Sequence, residues 1–337
     1  MEISFYTHAL NLQRRNGYGV AGFNVVTSLQ RLGHKVPFNS PKSPVQLNMC
    51  QPSFFADFID RPDQYSIGYA PWESTLLPED WADILNDCQE AWTTSEWCKE
   101  IFEENGVKSV KVYKHGVDPV FVPKKRQREP FKPFTFLHHG EPAVRKGGQL
   151  AYDAFKAAFG YNNKDVQLII KANETNTVRQ RRNTMLVDLP GNVKVVRNLI
   201  DDDVLVELYH DSHAMVYPSA GEGLGLIPLQ ALATGMPVIC TAKWADYASY
   251  LGDLAVDSKY QLSPWPKEHP GYVCQPDKDD LVDKMRYTYN NYDSLATRFH
   301  KQAFNVHKEY DWDSLTRAAF DPIVNKFSRI AFSPDSG

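Results

Sequence analysis

Short apolar runs alternate with amphipathic helical patterns along the chain, and residues 119–133 (PVFVPKKRQREPFKP) interrupt that alternation once. Parallel strands need a long crossover between them, so this alternation points to a parallel α/β architecture. In the first series Ile3–Tyr6 reads as a strand, followed by a polar loop over Leu12–Gly19. A helix beginning near Val20 then carries Val25, Leu29 and Leu32 on one face. Gly33 ends that helix, and His34–Pro37 resumes extended structure. Ser66–Ala70, Ala91–Thr94 and Val110–Tyr113 read as strands, and Ser95 is placed to cap a helix ending near Gly106.

The interruption holds four prolines and five basic residues without periodicity, as an interdomain linker does. Beyond it, strands are expected at Phe134–His138, Val166–Lys171, Val193–Val196, Ala214–Tyr217 and Val238–Thr241. Helices are expected at Gly148–Phe159, Asp202–Tyr209 and Leu226–Thr234, and from Trp312 to about Ile330. A length of 337 residues suits two domains. The boundaries read from the pattern are 1–125, 126–310 and a helical tail over 311–337. No internal repeat of solenoid length is visible.

Composition narrows the function. Hydrophobic residues are 42% and charged residues 23%, which excludes a disordered chain. Lys plus Arg number 37 against 41 Asp plus Glu, a net charge of −4, which argues against a generic nucleic-acid coat. Five scattered cysteines, with no CxxC, predict neither a zinc site nor a disulfide frame and fit a reducing cytoplasm. The start MEISFYTHAL has no signal-peptide character. No charge lies between Glu222 and Lys243, yet Pro228, Gln230, Gly235 and Pro237 would break and polarise a spanning helix there. The stretch reads as a buried helix and strand of a soluble protein.

Three segments carry residue types suited to anion or sugar chemistry. Gly17-Tyr18-Gly19 follows a strand and precedes a helix, as either a tight turn or an anion-binding turn does. Arg145 and Lys146 precede Gly147 on a loop after a strand. That is either a solvated basic loop or a pair of cations for a diphosphate. The third segment, Pro218-Ser219-Ala220-Gly221-Glu222-Gly223-Leu224-Gly225-Leu226, enters a helix that carries Gln230. Glycine-rich backbone at a helix start cradles phosphate, and a carboxylate among three glycines can accept from sugar hydroxyls.

Taken together these segments resemble the retaining GT-B glycosyltransferases of family 4, nearly from end to end. Gly17-Tyr18-Gly19 with Leu32-Gly33-His34-Lys35-Val36 is similar to that family's N-terminal signature. So are Trp92-Thr93-Thr94-Ser95, His115-Gly116-Val117-Asp118 and the loop from Gly140 to Gly147; the block from Pro218 to Val238 is the most specific match. The resemblance implies two Rossmann-like, doubly wound domains facing across a cleft. The first would take the acceptor and the second the nucleotide-sugar, with the C-terminal helix crossing back to the first near Tyr310-Asp311-Trp312. It implies sugar transfer from a nucleoside-diphosphate-sugar to a hydroxyl, with retained configuration, no cofactor and no metal. Arg145 and Lys146 would neutralise the diphosphate, and Glu222 would contact the donor sugar. Gly223, Leu224, Gly225 and Leu226 would help through their amides. Gln230 stands where the family has a ribose-binding Glu, and Glu141 where some members carry Arg.

Other positions are candidates with a plain structural alternative. Trp72, Glu73, His115 and Asp246 are candidate acceptor or sugar contacts. Gly17, Gly19, Lys171 and Arg197 are candidate donor contacts, with Asn173 near the nucleotide. The clusters 124–128 and 179–182 suit either solvent or a polyanion. They motivate a hydroxylated DNA base as the alternative acceptor, beside a glycan or a lipid at a membrane surface. The aromatics Phe54, Phe55, Phe58, Tyr65, Tyr69 and Trp72 suit stacking or core packing. A non-catalytic module binding nucleotide-sugar or glycan is the reading of another class. A nicotinamide dehydrogenase is disfavoured, because the first glycine turn is not GxGxxG.

Overall fold

The computed structural model describes residues 1–12, 16–61, 63–172, 191–197 and 201–331. The chain forms two compact units. The first comprises residues 1–72, 76–118 and the C-terminal segment from 310, and the second comprises 73–75 and 119–309.

In the first unit a parallel sheet takes the order β1 (Ile3–Tyr6), β2 (Val45–Met49), β3 (Tyr65–Tyr69), β4 (Glu90–Thr93) and β5 (Val110–Val112). Every residue of β2 is buried, as in a sheet covered on both faces. The extended stretch after Gly33 runs beside β1 through the bridges Glu2↔Lys35 and Phe5↔Phe38. Helix α1 (Gly17–Arg31) buries Ala21, Val25 and Leu29, which return at helical spacing. Its first turn is Gly17-Tyr18-Gly19 itself, three residues ahead of the expected start, because Asn16 caps it by accepting from the amide of Gly19 at 2.8 Å. Helices α2 (Trp81–Asp87) and α3 (Glu96–Glu104) follow. Ser95 caps α3 as expected, its Oγ accepting from the Cys98 amide at 3.1 Å.

The second unit is a six-stranded parallel sheet containing β6 (Phe134–His139), β7 (Val166–Lys171), β8 (Val193–Val196), β9 (Ala214–Tyr217), β10 (Val238–Thr241) and β11 (Ala255–Val256). Its order is β11-β10-β9-β6-β7-β8, so the winding reverses between β6 and β9. A crevice opens at the carboxyl ends of such strands, where the two connecting loops diverge. Helix α4 (Gly148–Phe159) leaves β6, α5 (Asp202–Asp211) precedes β9, and α6 (Leu226–Ala233) leaves β9. Beyond β10 come a short α7 (Ala248–Leu251), a hairpin of β12 (Ser258–Leu262) and β13 (Tyr272–Pro276), and the helices α8 (Lys278–Asn290) and α9 (Tyr292–Glu309). Among the described residues no helix is long and apolar enough to cross a membrane.

Residues 119–133 are not a free linker but part of the second unit. The reason is Arg126, which is buried and donates to the carbonyls of Lys124, Tyr209, Ser212 and Thr234. The chain rejoins the first unit at Tyr310, whose carbonyl accepts from the Val117 amide at 2.7 Å. Helix α10 (Trp312–Ala331) is fixed there to α1: Asp313 accepts from Ser28 at 2.6 Å and pairs with Arg31.

Candidate active site

The loops leaving β6 and β9 meet at the reversal point and bring together residues far apart in the sequence. After β6 a single turn (Val144–Lys146) is followed by Gly147 in the left-handed region, φ 74°, and then by α4. A side chain at Gly147 would reach within 2.1 Å of the Pro218 carbonyl, so glycine permits the two loops to close on each other. The Ala220 amide donates to the Arg145 carbonyl at 2.9 Å and locks that approach.

Glu222 is the centre of the constellation, with 6% of its surface exposed. Its carboxylate accepts from Lys146 Nζ at 2.7 and 2.8 Å, from Ser219 Oγ at 2.7 Å and from the Tyr217 hydroxyl at 2.9 Å. Arg145 Nη1 lies 3.4 Å from the same carboxylate and donates to the Gly221 carbonyl, while its Nη2 pairs with Glu73 at 3.3 Å. Burial alone would raise the Glu222 carboxyl. The charges of Lys146 and Arg145, with the donated hydrogen bonds, outweigh burial and hold it below the usual carboxylate range. Burial likewise works against the Arg145 guanidinium, yet Glu73 and Glu222 raise its pKa overall.

The glycine loop is held from behind. Trp244 Nε1 donates to the Ser219 carbonyl at 3.0 Å, and the Tyr247 hydroxyl donates to the Gly225 carbonyl at 2.9 Å. Gly225 has φ 81° and no space for a side chain, since Trp244 and Tyr247 fill that position. The loop then delivers Leu226 as the first residue of α6, whose N-terminal amides add the positive end of a helix dipole.

A second pocket wall lies along the carboxyl ends of β6, β7 and β8, lined by His138, Pro142, Ala143, Gln149, Ile170 and Arg197 among others. His138 Nδ1 sits 2.9 Å from the Val216 carbonyl, which can only accept, so Nδ1 carries the proton and Nε2 is an acceptor. Burial pushes this imidazole down to about 4, with Lys146 adding to the depression. Among the described residues no three His, Cys, Asp or Glu side chains are placed to hold a metal ion.

A model of family 4 glycosyltransferases in conflict systems matches residues 94–318, two-thirds of the chain. The chain belongs to that family. No curated protein matches this family 4 glycosyltransferase. Its fold is similar to sucrose-phosphate synthase from Thermosynechococcus elongatus, with a TM-score of 0.75 at 14% identity, covering 98% of this chain and 100% of that one. Anabaena HepE in complex with UDP and glucose superposes at 0.70 and 13% identity, over 96% of this chain and 100% of that one. Trehalose-6-phosphate synthase from Burkholderia multivorans gives 0.63 at 13% identity, over 94% of this chain and 78% of that one. The fold is GT-B, with a Rossmann-like sheet in each unit.

Within this glycosyltransferase the candidate residues separate clearly. Arg145, Lys146, Glu222 and Glu73 converge, and Gly223–Leu226 form the adjoining loop. Gln230 is half-buried on α6, and Asp246 is half-buried between the two aromatics that brace the loop. Lys171 is buried at the carboxyl end of β7 and donates to the Ala172 carbonyl at 3.4 Å, while Arg197 is exposed at the pocket rim.

Trp72 and His115 are buried in the first unit. The Trp72 indole donates to the Leu76 carbonyl at 2.7 Å and packs on Trp81; His115 is buried between Tyr69 and Trp312, and burial pushes it down to about 3. Gly17 is exposed, and the Gly19 amide is committed to the Asn16 cap. Asn173 and the 179–182 cluster lie outside the described residues. Sequence reasoning gave no role to Tyr217, Trp244 and Tyr247, and named Ser219 only as part of the glycine-rich segment; all four shape Glu222 and its loop. Their one signal was an aromatic pair, Trp244 and Tyr247, placed shortly after the glycine loop.

Proposed function

We propose that this protein transfers a sugar, with retained configuration and without a metal, from a nucleoside-diphosphate-sugar to a hydroxyl. The observation that carries the reading is the Lys146–Glu222–Arg145 cluster at the switch point, one loop away from a helix N-terminus. Bond cleavage at the anomeric carbon leaves a diphosphate whose charge rises in the transition state. Arg145, Lys146 and the amides opening α6 are placed to stabilise that charge electrostatically. The new bond forms from the acceptor oxygen to the same carbon, on the face the diphosphate leaves. The acceptor proton passes to the departing phosphate oxygen, so no side-chain nucleophile is required. Glu222 orients Lys146 and accepts from the donor sugar.

The nucleoside is assigned to the pocket at His138, Ile170 and Arg197, whose apolar walls carry a few directed polar groups, as small-molecule sites do. The second unit is therefore the donor side and the first the acceptor side. A uridine nucleotide is the first donor to try, because HepE is solved with UDP and glucose. The five cysteines are free and buried, which suits a reducing cytoplasm. A nucleic-acid acceptor has less support: of the 124–128 cluster, Arg126 is buried, and Arg128 stacks on Tyr289 at 4.3 Å.

The test is denaturant stability against a panel of nucleoside diphosphates and their sugars, without added metal. A ligand at about 100 times its Kd stabilises by about 2.7 kcal/mol. The reading expects that gain with one nucleotide and its loss in Arg145→Ala. Equal stability with every nucleotide would refute it.

A further inference from the structure

We propose that His269 is a positioning residue of the diphosphate site: when a donor diphosphate engages Arg145, the His269 imidazole takes a proton and holds the Glu73 carboxylate. The proposal rests on the nucleotide-sugar reading. Arg145 Nη2 pairs with Glu73 Oε1 at 3.3 Å, and His269 Nδ1 lies 3.8 Å from Glu73 Oε2. One carboxylate thus stands between the cation assigned to the diphosphate and a group that can change its charge.

Backbone contacts hold both partners in place. The Thr75 amide donates to the Tyr272 carbonyl at 3.0 Å and the Tyr272 amide to Thr75 Oγ1 at 2.8 Å, so β13 grips the segment that carries Glu73. On the same strand the Cys274 amide donates to the Ala220 carbonyl at 2.7 Å, which fixes β13 to the glycine loop. The Glu73 carbonyl itself packs 2.0 Å from the side-chain position of Gly221. His269 lies in the loop joining β12 to β13, its amide donating to the Trp265 carbonyl at 2.8 Å. The loop is closed by the Ser263 amide on the Gly271 carbonyl, also at 2.8 Å. The His269 and Glu73 side chains are only 18% and 22% exposed.

Charge decides what the ring does. The groups acting on it are Glu73, Arg145 and Lys146 from the loop after β6, and Glu268 from its own loop. Burial holds the imidazole below its ordinary range; Glu73 opposes this, and Arg145 and Lys146 add to it. The ring is therefore neutral at pH 7. A diphosphate on Arg145 and Lys146 offsets the two cations that resist protonation, and it leaves Glu73 beside an anion with its own partner drawn away. The pinned backbone keeps that carboxylate within reach of the ring. A proton from solvent on His269 restores the balance, with Nδ1–H donating to Glu73 Oε2.

The test is isothermal titration calorimetry of the full chain with UDP-glucose, ADP-glucose and GDP-glucose at pH 7, in buffers of different ionisation enthalpy. Each phosphorus of a nucleotide-sugar carries one strongly acidic hydroxyl, so protons taken up on binding go to the protein. Wild type is expected to take up about half a proton or more per bound donor, with affinity rising by up to about tenfold per pH unit as pH falls from 8 to 6.5. His269→Gln, which keeps a hydrogen-bonding side chain, is expected to bind with no uptake and a flat pH profile. Binding by wild type without uptake would overturn the proposal and leave the nucleotide-sugar reading standing. Unchanged uptake in His269→Gln would place the proton on another group, such as the His138 imidazole, and overturn it too. Glu73→Gln gives a check independent of folding at position 269, since unchanged uptake there has the same consequence. No binding of any of the three donors would overturn the nucleotide-sugar reading, and this proposal with it.

Discussion

The ammonium of Lys146 lies 2.7 and 2.8 Å from the two carboxylate oxygens of Glu222, in a site from which both side chains are largely withdrawn from water. Removing one member of such a pair leaves the other buried and uncompensated, at a cost of about 3–5 kcal/mol. Glu222→Gln is therefore expected to lower the unfolding free energy by about 3 kcal/mol at pH 7. The folded-state pKa of Glu222 is depressed below 4.5, so its stabilisation is present above that pH and is lost as pH falls through the folded value. Urea unfolding of both proteins from pH 7 downwards checks this. A gap between them that fails to narrow below pH 4.5 would contradict it.

Arg145→Lys keeps the charge but not the geometry. The guanidinium serves the Gly221 carbonyl and Glu222 from one nitrogen and Glu73 from another, a fork that a single ammonium cannot reproduce. The variant is expected to retain the fold while kcat drops roughly 100-fold, as when one charge-stabilising donor is removed from an active site. Steady-state kinetics with the donor identified by the nucleotide panel gives the answer. Unchanged kcat would remove Arg145 from the reaction.

Much of the candidate site's convergence was legible in the sequence because glycines and charges punctuate it. Gly147 and Gly225 mark backbone that needs positive φ, and Arg145, Lys146 and Glu222 flank them. The strands Val166–Lys171, Val193–Val196, Ala214–Tyr217 and Val238–Thr241 stand where their apolar runs placed them, since strands buried on both faces read as continuous runs. What stayed hidden depends on tertiary partners. Strand β2, Val-Gln-Leu-Asn-Met, alternates polar and apolar residues yet is buried throughout. The β12–β13 hairpin lacks a tight-turn signal, its strands being joined by nine residues. The burial of Trp72 and His115 was hidden too, because aromatic and imidazole groups serve either a core or a site and only their neighbours fix their burial.

Two glycines separate steric from conformational need. Gly147 has φ 74° and faces the Pro218 carbonyl, whereas Gly221 has no positive φ, and its side-chain position lies 2.0 Å from the Glu73 carbonyl. Gly221→Ala therefore tests contact alone, and Gly147→Ala adds about 1–3 kcal/mol of backbone strain. Both variants are expected to destabilise, Gly147→Ala by more. Differential scanning calorimetry ranks them, and the reverse order would show that the 73–75 segment cannot yield while the Pro218 loop can.

Buried histidines make the fold sensitive to mild acid. Burial pushes His138 down to about 4 and His139 to about 3, against 6.5 for a free imidazole. The unfolded chain takes up protons first, so stability is full above pH 6.5 and falls as pH drops toward 4. Each such group contributes at most about 1.4 kcal/mol per pH unit in that window. His139 bonds the Tyr209 hydroxyl at 2.7 Å, and His139→Gln is expected to flatten the slope between pH 6.5 and 4. A slope identical to wild type would assign the acid sensitivity to other groups.

Arg126 shows how a basic cluster can be structural at one position and superficial at another. Its guanidinium donates to Tyr209 and Ser212 at the end of α5 and to the carbonyl and hydroxyl of Thr234 at the end of α6, adding to the Ser212 amide on the Tyr209 carbonyl and the Lys124 amide on the Thr234 carbonyl. Burial lowers its pKa to about 10, which leaves it charged at neutral pH. Replacing it removes several buried charge-assisted hydrogen bonds, each worth about 1.5–3 kcal/mol, so Arg126→Met is expected to cost at least about 3 kcal/mol. Arg126→Lys recovers only part, since one ammonium cannot reach both helix ends. Arg128, two residues on, is exposed over Tyr289, and Arg128→Ala is expected to cost under about 1 kcal/mol. Urea midpoints for the three variants decide between the roles. Equal, small losses would return residues 119–133 to the status of a free linker.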